Sequence, residues 1–435
     1  MKNKKFYFET LPSYIIVLMP VFLITGPFLS DLGLSIVAIL FLVNSKINNL
    51  SKYYNNIYFK LFFIFWIILI LSSLFSENII SSLRSSLFYF RFAIFSLCLW
   101  YIIEKNENIL KRIFYSITIC FLSLIVDGYI QYFFGKNLLG IEIYGNNRVS
   151  SFFGSELILG SYLSRFFPIL FGLFVFINQK SKIKSKNLLI LITATFILTE
   201  GLILLSGERV ALFFMNMSAI YILLMINDYK KYRFWTYIGS LLLILALLFL
   251  FPQTKNRIIQ QTINDFTTNP SSDPSSEKND GKIYIFTKAH NDMYITGIKI
   301  FKDNKLLGVG PRQYRNNCKE YGISKFSCQG HPHNTYIELL SEAGIFAFMF
   351  VFITFLFIVT YSVIHFFKYV FKRKNLIFND FEVCILSAIL ISLWPLVPTG
   401  SFFNNWMSIV YYFPVGMFLW QRSKNTINPK NIKNT

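Results

Sequence analysis

The chain has 435 residues, 54% hydrophobic and only 15% charged, and its mean hydropathy of +0.49 is too apolar for a soluble domain of this length. A formal net charge of +20 would suggest nucleic acid in a soluble protein, but here the basic residues punctuate long apolar runs. That pattern excludes a nucleic-acid binder and a strand-built barrel and leaves an all-α integral membrane protein.

A helix needs about 20 mostly apolar residues to cross the hydrocarbon. Stretches of this kind centre near residues 20, 38, 67, 93, 122, 167, 195, 218, 242, 355, 390 and 412, which predicts about twelve transmembrane helices. In chain order, residues 1–251 form an N-terminal bundle of about nine spans, 252–335 a large polar loop, 336–421 the C-terminal spans and 422–435 a tail. Basic residues cluster in alternate connections. Lys2, Lys4 and Lys5 precede the first span; Lys46 and Lys52, then Lys105, Lys111 and Arg112, then Lys180, Lys182, Lys184 and Lys186, then Lys230, Lys231 and Arg233, then Lys372, Arg373 and Lys374 follow every second span, and Arg422, Lys424, Lys430 and Lys433 close the chain. This is the positive-inside distribution, so both termini are expected in the cytoplasm and the first span is expected to be retained rather than cleaved as a signal peptide.

The same topology sends the 252–335 island to the outer face, where residues 139–156, 206–208 and 398–405 should meet it. Within the island, Thr267–Asp280 is rich in Pro, Ser, Asn and Asp and reads as a mobile loop. Ile283, Phe286, Met293, Ile295, Ile298, Ile300 and Phe301 fall near helical spacing and predict an amphipathic helix on the membrane surface over about 283–303. Gly308-Val309-Gly310-Pro311 is a turn, and a helix that feeds the next span begins near Tyr336. No repeat of 20–50 residues and no phosphate-binding glycine loop is visible, so energy for any reaction must arrive with the substrate.

Cys98, Cys120 and Cys384 lie in apolar spans and read as small buried hydrophobes. Cys318 and Cys328 lie ten residues apart in the island, where a disulfide, a zinc site shared with His331 and His333, or two free thiols are the alternatives; the spacing lacks the close Cys pair and longer His gap of zinc fingers.

Three of the four histidines, His290, His331 and His333, lie in the island. His333 precedes Asn334 at a predicted helix start, with Asn334 or Thr335 as N-cap. Its imidazole could take a proton from a hydroxyl near neutral pH, the bland alternative being a ring bonded to a loop carbonyl. Arg84, Arg91, Arg148, Arg165 and Arg209 sit in the outer half of the membrane, where cations are disfavoured and need a partner or a job. Arg209 opens a span from a very short loop; it either pairs with Glu208 or another acidic neighbour or clamps phosphate oxygens with its planar fork of donors, and Arg148, Arg312 and Arg315 could join it. Asp127 and Glu200, also in apolar surroundings, leave a transport pathway as a different use of intramembrane charge.

Four motifs taken together resemble the O-antigen ligase and polymerase superfamily, bacterial membrane enzymes that transfer glycans from undecaprenyl pyrophosphate. They are Arg148-Val-Ser-Ser-Phe-Phe-Gly154 with Gly160-Ser161-Tyr162; Ser206-Gly-Glu-Arg209; Phe301-Lys-Asp-Asn-Lys-Leu-Leu-Gly-Val-Gly-Pro311; and His331-Pro-His-Asn-Thr-Tyr-Ile-Glu338 with Glu342-Ala-Gly344. The resemblance covers about 145–345 and implies an inner-membrane enzyme with a large periplasmic loop containing short helices, inverting and independent of metal or other cofactor. His333 would activate an acceptor sugar hydroxyl, supported by His331, His290 and Asn334, while Arg209 and the further cations Arg148, Arg312, Arg315 and Lys288 hold the departing pyrophosphate. The family's ligases carry an additional arginine 45 to 50 residues before the histidine, where this chain has Lys288 and His290. The implied partners are an undecaprenyl-pyrophosphate-linked glycan donor, a lipid A-core or lipid-linked glycan acceptor and membrane lipids, with no nucleic acid. A ligase, a polymerase joining lipid-linked repeat units, and a non-enzymatic exporter or flippase of lipid-linked sugar remain the three readings.

Overall fold

The computed structural model describes residues 5–145, 148–181, 186–267 and 286–427. Among these residues there is no strand, only two isolated bridges in the turn between Lys136 and Arg148. The helices that matter here are α1 (Leu11–Thr25), α2 (Pro27–Asn48), α3 (Ile57–Leu74), α4 (Ile79–Lys105, with a 3-10 turn at Leu87–Tyr89), α5 (Asn108–Phe134), α6 (Leu159–Lys180), α7 (Lys186–Ser206), α8 (Arg209–Met225) and α9 (Lys230–Leu250). They are followed by α10 (Lys288–Asp303), α11 (Tyr314–Tyr321), α12 (Thr335–Val370), α13 (Asp380–Ser392) and α14 (Asn405–Ile427). All twelve predicted centres fall in helices, and among the described residues nine of those helices are long and apolar enough to cross a membrane. The chain is an all-α integral membrane protein. The loop expected from Thr267 lies, over residues 268–280, outside the described residues, as do Ile283 and the expected cytoplasmic lysines at 2, 4, 182, 184, 430 and 433.

α4 and α6 form the buried centre. α4 packs along α14, with Ser96 Oγ donating to the Tyr412 carbonyl at 2.8 Å, and α6 packs along α13. At one end, Glu107 in the short α4–α5 turn binds both Lys180, closing α6, and Lys424, near the end of α14. The described residues of the island and the loops expected to join it gather at the opposite end.

Two elements there differ from expectation. α10 begins at Lys288 rather than about 283, because the Thr287 hydroxyl caps it by accepting the His290 N–H at 3.3 Å. Its buried residues, Asp292, Met293, Thr296, Gly297 and Ile300, face α11 and the start of α12, leaving Ile295 and Ile298 exposed. Of the expected apolar stripe, Met293 and Ile300 are covered by protein neighbours, while Ile295 and Ile298 are not.

α13 stops after 13 residues, about 20 Å, well short of a hydrocarbon layer about 30 Å thick. Residues 393–404 continue without helix before α14 begins. Non-helical backbone at such depth is tolerated where protein or a cavity surrounds it, and here side chains of the α12 N-terminus take up its carbonyls. Asn334 Nδ2 donates to Pro395 O at 2.8 Å and Val397 O at 3.3 Å, and the Tyr336 hydroxyl donates to Leu393 O at 2.6 Å.

α12 is itself interrupted at Gly344, where φ is 76° and ψ −174°. The break lets the Leu306–Leu307 backbone lie against the helix, with Ile345 N–H donating to Lys305 O at 2.9 Å. A β-carbon on Gly344 would collide with the Leu306 carbonyl group. Gly344→Ala should therefore cost about 3 kcal/mol or more and lower the thermal midpoint of the detergent-purified protein; an unchanged midpoint would contradict this role.

Candidate functional site

Each of the expected loops is tied to a neighbouring element by hydrogen bonds to a side-chain oxygen. Asp127 of α5 accepts from Leu138 N–H (2.9 Å), Ser151 Oγ (2.6 Å) and Asn137 Nδ2 (3.2 Å), and Gln131 Oε1 accepts from the N–H groups of Ser150 (2.9 Å) and Ser151 (2.7 Å). The loop carrying Arg148 is thereby sewn to α5, and Asp127 is a structural anchor. Glu200, the other carboxylate considered for transport, is buried and accepts from Asn216 Nδ2 at 3.3 Å, away from the site. Glu208 accepts the N–H groups of Gly160 (2.6 Å) and Ser161 (3.0 Å) in the first turn of α6, where unpaired donors and the helix dipole favour an anion. Burial still raises its carboxyl to about 7 against those bonds and the nearby Arg148 and Arg165 charges. The Glu208–Arg209 ion pair weighed from sequence does not form.

The motif 308–315 is held the same way. Glu342 accepts from Arg312 N–H (2.6 Å) and Tyr314 N–H (2.8 Å), and Glu338 accepts from Ser401 Oγ (2.5 Å) and Phe402 N–H (2.7 Å). Asn334 caps α12, accepting from Tyr336 N–H (3.0 Å) and Ile337 N–H (3.2 Å), while its amide group binds the 393–404 segment. It supports the site without lining it.

His333 stands between these anchors in a left-handed conformation with φ 53°, unusual for a side chain of its size. The conformation is held because the His333 carbonyl accepts Thr399 N–H at 2.8 Å, while the adjoining Thr335 N–H reaches Thr399 Oγ1 at 3.1 Å. The ring lies 3.9 Å between centroids from that of His331 and 5.6 Å, nearly perpendicular, from that of His290. Burial lowers the His333 pKa below the ordinary imidazole value, and burial with the His333 charge lowers that of His331 to about 4. Both rings are therefore neutral at neutral pH.

Two cavities meet at His333. The first, about 830 Å³, is lined by Arg148, Arg165, Arg209, His290 and Thr262, with an apolar wall that includes Phe213, Trp394 and Leu396. The second, about 690 Å³, is lined by Arg312, Arg315, His331, Glu156 and Asn404 among others. Ile158, Ser161, His333 and Gly400 belong to both. Residues 148–161, 207–211, 286–290 and 394–400 thus converge as the topology required.

Arg148 Nε donates to Ser206 O (3.2 Å), Arg209 Nη1 to Thr262 Oγ1 (3.0 Å), and Arg165, 3% exposed, to Ser161 while its guanidinium lies over the Phe214 ring. Among the described residues, no carboxylate is within ion-pair distance of Arg148, Arg165, Arg312 or Arg315, and Arg91 is neutralised instead by Asp31 at 2.6 Å. Burial draws the Arg148 and Arg312 pKa values below the usual guanidinium value. Lys288 opens α10 and lines neither cavity. Arg165 and Thr262 do line the first cavity. Arg165 was visible as a misplaced cation; Thr262, in a stretch without pattern, gave no signal. Cys318 and Cys328 are joined in a disulfide, with Cα atoms 5.2 Å apart, closing the loop before His331.

With this geometry in place, residues 193–352 match the family model described as O-Antigen ligase. Over this stretch, just over a third of its length, the chain is similar to an O-antigen ligase domain. No curated protein matches the chain. The match supports a membrane glycan-processing role of ligase or polymerase type. The O-antigen ligase domain contributes Arg209, the island and the start of α12, whereas Arg148, Arg165 and Thr399 come from outside the matched range.

Asn334→Asp separates the two duties of that side chain. Aspartate keeps the cap acceptor, worth about 1 kcal/mol, but cannot donate to Pro395 and Val397. The variant should melt lower than wild type; an equal midpoint would show that capping alone matters.

Proposed function

We propose that the chain transfers a glycan from undecaprenyl pyrophosphate to a sugar hydroxyl on the periplasmic side of the inner membrane, as an O-antigen ligase. The observation that carries this reading is the placement of His333 on the shared wall of two cavities, one of them lined by three arginines. The donor diphosphate occupies the arginine cavity, where Arg209, Arg148 and Arg165 meet its oxygens and the apolar wall meets the start of the polyprenyl chain. The acceptor approaches through the second cavity, beside Arg312 and Arg315. His333 takes the proton as the acceptor oxygen attacks the anomeric carbon from the face opposite the leaving group. The bond from that carbon to the phosphate oxygen breaks, and its electron pair leaves with the diphosphate. Attack from the opposite face inverts the configuration. Guanidinium groups fixed before the reaction stabilise the departing charge without reorganising as it develops. His331 and His290 bracket the base, and Asn334 and Thr399 fix its backbone.

The test is transfer by detergent-purified protein in the presence of EDTA, with undecaprenyl-pyrophosphate glycan as donor and either lipid A-core or a second donor molecule as acceptor. Glycan on lipid A-core is expected; lengthened lipid-linked glycan would instead identify a polymerase, and no product from folded protein would favour an exporter. His333→Ala should lower turnover roughly 100-fold or more. Arg209→Lys, which keeps charge but loses the planar fork, should lower donor-limited turnover about tenfold. Because burial depresses the His333 pKa, the neutral base persists as pH falls through the ordinary imidazole range. The acid limb of kcat/KM should therefore lie below about pH 6.5; a limb above that value would contradict His333 as the base.

A further inference from the structure

Arg257 lies on the helical extension of α9, in the turn Asn256–Gln260 between Pro252–Lys255 and Gln261–Thr267. It lines neither cavity. Its Nε donates to the Gly207 carbonyl at 3.3 Å and its Nη1 to Gln261 Oε1 at 3.5 Å. Gly207 has φ +69°, and a β-carbon there would sit on Arg257 Nε and only 2.6 Å from its Cδ. The arginine thus fills space that only a glycine leaves open.

The turn it rests on carries the arginines of the first cavity. The carbonyl of Ser206 receives Arg148, and the turn ends in Arg209 itself. Five residues beyond Arg257, Thr262 gives its hydroxyl proton to Ile258 O at 2.6 Å, which leaves the oxygen to accept from Arg209 Nη1 at 3.0 Å. The Ser206–Arg209 turn is therefore held from two sides, by Glu208 on the α6 N-terminus and by the α9 extension through Arg257 and Thr262.

We infer that Arg257 is a positioning residue for the donor diphosphate. Docked on Gly207, it seats the extension against the turn and so fixes Arg209 through Thr262 and Arg148 through Ser206. This rests on the reading of the first cavity as the diphosphate site. Its force comes from preorganisation: groups already held in place bind the diphosphate without the cost of ordering them, so losing that hold shows first as weaker binding of the donor.

The test varies donor at fixed acceptor on the full chain, comparing wild type with Arg257→Gln, Gly207→Ala, Thr262→Val and the Gly207→Ala/Arg257→Gln double variant. Arg257→Gln should raise donor KM about tenfold and leave kcat and acceptor KM unchanged, with Thr262→Val shifted in the same direction. The double variant should be no worse than Gly207→Ala, because both changes remove one contact. Arg257→Lys, which still offers a donor to the Gly207 carbonyl, should recover most of the donor affinity, and it reads the same contact should Arg257→Gln not fold. An unchanged donor KM, a change confined to kcat or to thermal stability, or losses that add in the double variant would overturn the assignment. Titration with inorganic pyrophosphate separates this from the proposed activity: binding by wild type that weakens in Arg257→Gln, without turnover in either, would uphold Arg257 and overturn glycan transfer.

Discussion

Four carboxylates at the island end, Asp127, Glu338 and Glu342 buried and Glu208 half-buried, are bonded to loop N–H and hydroxyl groups, and none of them forms an ion pair with an arginine among the described residues. Burying an ionised carboxylate is costly unless its oxygens are hydrogen-bonded. Loop donors meet that need here, and each bond also fixes a segment of otherwise irregular backbone. The arginines are the counterpart. Arg148, Arg165, Arg312 and Arg315 reach carbonyls, hydroxyls or cavity space, so their charge is left directed into the two cavities. A site built this way favours an anionic ligand before one arrives, as a leaving diphosphate requires.

The second constraint is the short α13. Because that helix ends early, residues 393–404 continue as irregular chain, and their polar groups are matched by His333, Asn334, Thr335 and Tyr336. The histidine motif and the broken helix therefore stabilise one another. The left-handed backbone at His333, costing on the order of 1 to 2 kcal/mol, persists because Thr399 and the Asn334 cap leave it no easier arrangement. The same contacts present the ring to both cavities at once.

Much of this was legible in the sequence. Apolar runs located all twelve helix centres, and alternation of basic clusters assembled residues 148, 207–209, 333 and 398–400 at one end before any contact was known. Arginines in the wrong half of the membrane pointed to Arg148, Arg165 and Arg209, since a cation there must have a reason. What could not be read was pairing across distance. Nothing local distinguishes Glu208 bound to Arg209 from Glu208 on the N-terminus of α6, or an α10 face against lipid from one against α12. Lys288 has the right charge near the right position, but the helix start at Thr287 leaves it outside both cavities. Thr262 and Arg257 lie in a stretch without periodicity, and their place is set by Gly207, fifty residues earlier.

The most direct measurement is a cryo-electron microscopy structure of the protein bound to a non-transferable undecaprenyl-diphosphate glycan. We expect the diphosphate between Arg148, Arg165 and Arg209, the first sugar carbon facing the shared wall at His333, and the polyprenyl chain leaving past Phe213, Trp394 and Leu396. Diphosphate seated beside Arg312 and Arg315 in the second cavity, or bound away from both cavities, would contradict the assignment of His333 as the base between donor and acceptor.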